Sequence, residues 1–143
     1  MAFEDYLLQD VIPLVEAKYR LAPGAENRAI AGFSMGAEQT LHVFFNHLDR
    51  FGSAGAFSPS NYRVMESRHA ALLADPTGTN RMINLLWIAC GRQDPGHFPG
   101  SEQLATVLTT SNIRHTWRPT DGRHNYAYLR DALVEFLPNL FQR

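Results

Sequence analysis

The chain has 143 residues, of which 45% are hydrophobic and 19% charged, and its formal net charge is -1. This length and composition predict one globular domain over residues 1–143 with a sizeable core. No block of Lys and Arg occurs, which argues against nucleic acid or an anionic membrane as a partner. No apolar run approaches the roughly 20 residues that a membrane helix needs.

The start of the chain and its cysteine content bear on the compartment. Residues 1–5 lack the basic start and the apolar stretch of a signal peptide, so the chain as given is expected to be cytoplasmic. Export of a longer precursor stays open. The single cysteine, Cys90, excludes an internal disulfide and weakly favours a reducing compartment.

The first part of the chain predicts a helix, a strand and a second helix. Residues 3–20 carry apolar residues at helical spacing, and Pro13 is expected to kink this helix or to begin its second half. Residues 29–33 form a short apolar run typical of a strand buried on both faces of a parallel sheet. Residues 37–48 place apolar side chains on one helical face, so a tight turn at Ser34 joins strand to helix.

The same alternation continues to the end of the chain. Three further strands are predicted, at residues 52–58, 84–90 and 114–118. The helices among them are residues 62–74, a helix that Ser101 caps, and a last helix that ends at Pro138. Such a chain predicts an α/β fold of about four parallel strands with helices on both faces. Ligands of such sheets bind beyond the carboxyl ends of the strands.

The strongest chemical signal is the turn between the first strand and its helix. Residues 32–36 read Gly-Phe-Ser-Met-Gly and match the pattern G-x-S-x-G in the strand–turn–helix context of a nucleophilic serine. The turn strains the backbone at Ser34 and exposes its Oγ, and the flanking glycines are expected to leave room for the closely packed strand and helix. The backbone N–H of Met35 is expected to bind the oxyanion of a tetrahedral intermediate.

A nucleophilic serine also needs a base and an acid that orients the base. Asp94 follows the third predicted strand and His124 the fourth, in the chain order Ser, acid, His. We therefore predict a triad of Ser34 as nucleophile, His124 as general base and Asp94 as its acid. Other readings remain: Asp94 could cap its loop or the next helix, Asp121 is the reserve acid, and His124 could simply begin the last helix.

These motifs resemble the serine esterases of the α/β-hydrolase fold around esterase D, the feruloyl esterases and the enterochelin-esterase-like proteins. The resemblance rests on residues 28–36, 90–94, 122–124 and 133–140. It implies a truncated α/β-hydrolase fold, a small-molecule carboxylic ester as substrate, an acyl-enzyme intermediate and no cofactor. Two departures stand out: Ala37 replaces a second glycine, and Asn-Tyr at residues 125–126 replaces the family's polar residue and tryptophan.

The resemblance also implies that the N-terminal half of the family's domain is missing from this chain. That half supplies early strands and the loop with the second oxyanion N–H, and losing one such donor costs about 2.7 to 4 kcal/mol. The strand at residues 29–33 would then be an exposed apolar edge. We therefore expect a homodimer or higher oligomer formed through this edge, or completion by another polypeptide.

Several other side chains have predicted roles near the site or in the core. The residues expected to line the substrate cleft are Phe33, His97, Phe98 and Tyr126. No metal site is predicted, because His42 and His47 are five residues apart on one helix and cannot chelate one ion. Cys90 is expected to be a small buried hydrophobic residue.

An alternative function belongs to another class. A truncated hydrolase that keeps the triad residues could be catalytically idle and serve as a binding or assembly module. A third reading is a fragment of a longer gene product. Reaction of Ser34 with a serine-directed phosphonate would discriminate an active site from an idle one.

Overall fold

The computed structural model describes residues 2–60 and 69–142. Four strands form one sheet: β1 (Ala29–Phe33), β2 (Ser53–Phe57), β3 (Leu85–Gly91) and β4 (Thr116–Thr120). Their order is β1-β2-β3-β4, and every neighbouring pair is parallel. The predicted four-stranded parallel α/β sheet is confirmed.

Seven α-helices are described around this sheet. They are α1 (Ala2–Tyr6), α2 (Ile12–Lys18), α3 (Met35–Asn46), α4 (Ala70–Ala74), α5 (Pro76–Met82), α6 (Phe98–Thr110) and α7 (Tyr126–Phe136). A π-helical turn (Leu7–Val11) joins α1 to α2 and ends shortly before Pro13. Proline has no N–H to donate, so the wider turn accommodates it where the sequence predicts a kink. No helix in residues 2–60 or 69–142 has the length and apolarity to cross a membrane.

The two faces of the sheet have separate cores. On one face, strand residues such as Ala56 and Ile88 pack with Phe44 of α3 and with Leu104 and Leu108 of α6. On the other face, α7 packs its apolar side chains against the strands, and the members of this core are Phe57, Trp87, Ala89, Tyr128, Ala132 and Phe136. Helices therefore cover both faces, as the sequence predicts.

Two predicted elements are displaced. Ser101 does not cap a helix: α6 begins at Phe98, and Ser101 lies buried inside it and donates to the carbonyl of Pro59. Pro99 fits the first turn, where a missing N–H is harmless. The last strand is Thr116–Thr120 and not residues 114–118. Arg114 donates instead to backbone carbonyls of α5 and the residue after it, and Pro119 is tolerated because β4 is an edge strand.

The predicted helix at residues 62–74 is only partly covered, because residues 61–68 lie outside the described residues. Its last residues form α4. A further helix, α5, follows the predicted break, and the sequence analysis missed it. Asp75 caps this helix by accepting a hydrogen bond from the Gly78 N–H at 2.9 Å, with Pro76 in the first turn.

A polar cluster joins α1 to α3. The Glu4 carboxylate lies 3.1 Å from His42 Nε2 and 2.9 Å from His47 Nε2, and it accepts a hydrogen bond from Asn46 at 3.1 Å. Burial raises the pKa of Glu4, but hydrogen bonds, among them those from Asn46, His42 and His47, outweigh it and lower the pKa to about 2. The ionised carboxylate therefore stabilises the contact between the two helices.

We predict that Glu4→Gln lowers the free energy of unfolding at pH 7 by about 1.5 to 3 kcal/mol, the range for hydrogen bonds to charged groups. Because the folded pKa of Glu4 lies below its ordinary value of 4.5, its contribution is fully present above that pH and is lost as the pH falls towards 2. Urea unfolding of both proteins at pH 7, 5 and 3 should show the difference shrinking with acid. Glu16→Gln, at an exposed ion pair with Arg28, is the matched control and should cost less than about 1 kcal/mol. A pH-independent difference would contradict this account.

Candidate active site

Ser34 occupies the sharp turn between β1 and α3. Its backbone has φ 58° and ψ −122°, and its N–H donates to the carbonyl of Phe57 at 2.9 Å. A positive φ is uncommon for a residue with a Cβ and costs about 1 to 3 kcal/mol. The structure thus holds strain at the serine that the sequence singles out.

The two flanking glycines behave differently. A Cβ at Gly32 would lie 2.2 Å from the carbonyl oxygen of Gly36 and 2.8 Å from Thr40 Oγ1, so only glycine lets strand and helix pass this closely. A Cβ at Gly36 would meet no described atom within 4 Å. The expectation that the glycines provide packing room is therefore right for Gly32 and wrong for Gly36.

Met35 is the first residue of α3, and its side chain is exposed. The first N–H groups of a helix have no partner within the helix and carry its positive dipole end. The Met35 N–H is therefore placed directly after Ser34 at a point that favours negative charge. This arrangement can bind an oxyanion.

Asp94 and His124 come together from the loops after β3 and β4. His124 Nδ1 lies 2.7 Å from Asp94 Oδ2, and the Asp94 side chain is only 3% exposed. A carboxylate can only accept, so Nδ1 carries the hydrogen and Nε2 is the basic nitrogen of a neutral ring. Burial raises the pKa of Asp94, but hydrogen bonds from His97 and His124 outweigh it and leave the pKa below its usual range.

A second histidine shares the same carboxylate. His97 Nδ1 lies 3.0 Å from Asp94 Oδ1, and its ring stacks on His124 with centroids 4.0 Å apart and an interplanar angle of 12°. Phe33 also stacks on His124, at 4.5 Å and 25°. Two stacked rings cannot share one face, so the His124 imidazole lies between His97 and Phe33. The sequence analysis placed His97 near the substrate and missed its contact with Asp94.

Ser34 directly follows Phe33, one of the two residues whose rings stack on His124. Within the described residues, no hydrogen bond joins Ser34 Oγ to His124. Phe33, the residue before Ser34, contacts the His124 ring directly. Hydrogen bonds between catalytic groups are often long without substrate and shorten in the complex.

The other two residues predicted to line the substrate cleft, Tyr126 and Phe98, have different surroundings. Tyr126 is 82% exposed, and its ring lies 6.4 Å from that of Phe33. Phe98 packs at 5.9 Å on Trp117, a residue that contacts the core. The structure thus groups Tyr126 with Phe33 and gives Phe98 a packing contact instead.

The residues best able to hold a metal ion are those of the same cluster. One ligand atom each of Asp94, His97 and His124 lies within 4.8 Å of the others. A metal bound by two imidazoles must lie near the plane of both rings, and these rings are stacked and nearly parallel. The geometry therefore suits hydrogen bonding to the carboxylate better than chelation.

The structure also shows the surroundings of the reserve acid, Asp121, and of the single cysteine, Cys90. The reserve acid Asp121 has an 88% exposed side chain, 3.9 Å from Arg92. Cys90 is fully buried, and burial raises the pKa of its thiol. Asp94 is thus the buried acid of this site, and Cys90 is a core residue.

The chain matches known proteins over most of its length. A family model described as "Putative esterase" matches residues 1–140. The endo-1,4-beta-xylanase/feruloyl esterase of Xylanibacter ruminicola is 23% identical over 141 residues, which are 98% of this chain and 18% of that protein.

Solved structures share the fold. A ferulic acid esterase has a TM-score of 0.81 at 22% identity, over 98% of this chain and 62% of that chain. A fluorophosphonate-binding serine hydrolase of Staphylococcus aureus has a TM-score of 0.81 at 21% identity, over 97% of this chain and 63% of that chain. The α/β-hydrolase fold predicted from the sequence is confirmed, and the chain spans less than two thirds of the length of these relatives.

The glycine contacts give a prediction with a matched control. Gly32→Ala should lower the free energy of unfolding by about 1 to 3 kcal/mol, because its Cβ would collide with the backbone of α3. Gly36→Ala should be neutral or stabilising by up to about 1 kcal/mol, because alanine is the better helix former. Urea unfolding of both variants measures the contrast, and equal losses would show that the turn is not packed as described.

Proposed function

This chain belongs to the esterase family, and from that premise we propose that it hydrolyses small carboxylic esters as a serine esterase. The observation that carries the proposal is the hydrogen bond between the buried Asp94 and His124, whose ring stacks on Phe33, the residue directly before the strained Ser34. In this proposal Ser34, His124 and Asp94 form the catalytic triad, the turn at Ser34 is a nucleophile elbow, and residues 1–143 act as one domain.

Acylation follows from the roles of these groups. The Nε2 of His124 accepts the proton of Ser34 Oγ as that oxygen attacks the carbonyl carbon of the ester. The carbonyl oxygen becomes an oxyanion, which the Met35 N–H binds at the positive end of α3. The intermediate collapses, His124 passes its proton to the departing alkoxide, and the alcohol leaves an acyl group on Ser34.

Deacylation repeats these steps with water. His124 removes a proton from water, the hydroxyl attacks the acyl carbon, and the second intermediate releases the carboxylic acid and restores the Ser34 hydroxyl. Asp94 remains ionised throughout and stabilises the imidazolium. The lowered pKa of Asp94 supports this role, because the acid stays charged at neutral pH.

The substrate class follows from the relatives and from the rings around His124. The relatives described above include enzymes named for feruloyl esters, whose acyl group is aromatic. Phe33 stacks on His124, and the exposed Tyr126 lies 6.4 Å from Phe33, so two aromatic rings lie near the proposed base. We therefore assign it small esters with short or feruloyl-type acyl groups.

The triad predicts the effect of single substitutions. Ser34→Ala should reduce the kcat/KM for p-nitrophenyl acetate and butyrate by at least about a thousandfold, since the nucleophile is lost. A serine-directed fluorophosphonate should label the unmodified protein quickly and His124→Ala slowly. Ser111→Ala, at the end of α6, is the matched control and should keep full activity.

The rival function is an idle hydrolase that serves as a binding module. The missing hydrogen bond between Ser34 and His124 in the described residues favours it. Equal hydrolysis rates for the folded protein and Ser34→Ala, together with slow labelling by the phosphonate, would establish the rival and refute the esterase.

We also propose that two copies associate through the free edge of β1. The β1 strand is an edge of the sheet, and it adjoins an apolar groove of about 250 Å³. The apolar residues that line this groove include Leu7, Val11, Ile12, Val15, Leu21 and Ile30. An unpaired apolar edge of this kind favours strand pairing, and two copies related by a twofold axis would continue the sheet.

The ladder between β1 and β2 identifies a residue that tests this association. The Ser34 N–H donates to the carbonyl of Phe57, the last residue of β2. Main-chain N–H groups of successive residues in a strand point to opposite sides, so the Ala31 N–H, three residues earlier, points to the free edge. Ala31→Pro removes that donor without breaking the bonds to β2, and it should convert a dimer in sedimentation velocity into a monomer. Ala31→Thr keeps the donor and should remain dimeric. A monomeric parent protein would refute the association.

A further inference from the structure

The second histidine on Asp94 has a role that the triad does not include. We propose that His97 is a positioning residue, which holds the free oxygen of Asp94 and one face of the His124 ring so that this ring keeps one orientation. The proposal rests on the esterase function proposed above. It also makes a structural claim that can be measured without any substrate.

His97 and His124 together hold both oxygens of the Asp94 carboxylate. With His124 alone, the Asp94 side chain would have one hydrogen-bonded oxygen and could rotate about its Cβ–Cγ bond. His97 occupies the other oxygen at 3.0 Å, opposite the 2.7 Å contact to His124. Both oxygens of a side chain that is only 3% exposed are thus held, and the direction of the His124 hydrogen bond is fixed.

The ring of His124 is covered by another ring on each face. Its side chain is 32% exposed, so it has room to turn towards solvent. His97 covers one face at 4.0 Å, and Phe33 covers the other at 4.5 Å. Rotation of the imidazole out of this stack would move it into one of the two neighbouring rings. The stack therefore limits the ring to motion in its own plane.

His97 is itself held in place by backbone hydrogen bonds on both sides. Asp94 and His97 are the first and last residues of one tight turn, in which the His97 N–H donates to the Asp94 carbonyl at 3.2 Å. The His97 carbonyl then accepts the Ser101 N–H at 2.9 Å, as α6 begins. Because α6 is anchored in the core by Leu104 and Leu108, the position of the His97 ring is set by the fold.

This role differs from direct contact with substrate. The His97 Nδ1 is already committed to Asp94, and a residue that only binds substrate would change KM and would discriminate between esters. A positioning residue changes kcat by one factor for all esters, because it acts on the orientation of the base.

The kinetic test uses three substitutions of His97. His97→Ala should lower kcat about tenfold on both p-nitrophenyl acetate and butyrate, with KM within about twofold, as expected for a misaligned catalytic group. His97→Asn keeps a donor for Asp94 and His97→Phe keeps a ring against His124, so each should recover part of the loss. His115→Ala is the control, since His115 bonds the carbonyl of Ile113 and has no contact with the site.

The structural test is independent of catalysis. In NMR spectra of the unmodified protein, the Nδ1–H of His124 should give a slowly exchanging, downfield-shifted proton signal, which disappears in Asp94→Ala. In His97→Ala this proton should exchange at least about tenfold faster, since one of its supports is removed. His97→Asn should exchange more slowly than His97→Ala.

The outcomes separate the two proposals. If the protein hydrolyses esters and His97→Ala leaves both kcat and the proton exchange unchanged, the positioning role is wrong and the esterase stands. If the protein is inactive but His97→Ala still accelerates the exchange, the positioning role stands and the esterase fails. An effect of His97→Ala on KM alone would assign His97 to substrate binding and overturn the inference.

Discussion

A buried carboxylate held by two imidazoles organises the functional end of this molecule. Burial alone would raise the pKa of Asp94, and the hydrogen bonds from His97 and His124 reverse that effect and keep it charged. Asp94 and His97 lie in the turn between β3 and α6, and His124 lies in the loop after β4. The charged Asp94 side chain therefore connects the loop after β3 to the loop after β4 through hydrogen bonds.

Much of the fold could be predicted from local patterns. The apolar run of β1 and the helical periodicity of α3 are strong signals, and their predicted ends lie within two residues of the observed ones. Polar contacts made after folding are harder to foresee. Serine is a residue type that often caps helices, but here the helix begins earlier, with Pro99 in its first turn. The Ser101 hydroxyl then donates to the backbone carbonyl of Pro59. The ends of β4 are set by its pairing with β3, which the local sequence pattern does not reveal.

In the candidate site, too, the positions of residues along the chain could be predicted, but their side-chain contacts could not. The order of Ser34, Asp94 and His124 at strand ends could be predicted, because parallel strands bring their carboxyl ends to one edge of the sheet. The contact of His97 with Asp94 could not be predicted, since the spacing of three residues between them fits a turn, a cap or a cleft wall equally well. The Asp-Pro-Gly-His turn before a helix was the available signal. Only the folded turn shows that the ring faces the carboxylate.

The edge position of β1 links the proposed pairing of two copies to the proposed active site. Phe33 is the last residue of this strand, and it also covers one face of the His124 ring. Under the proposed pairing, the partner would stiffen the same strand that supports the base. Each copy would then work faster when paired than when alone. The turnover per chain would rise with the concentration of the protein itself, so the cell could set esterase output by the abundance of the chain as well as by its substrate.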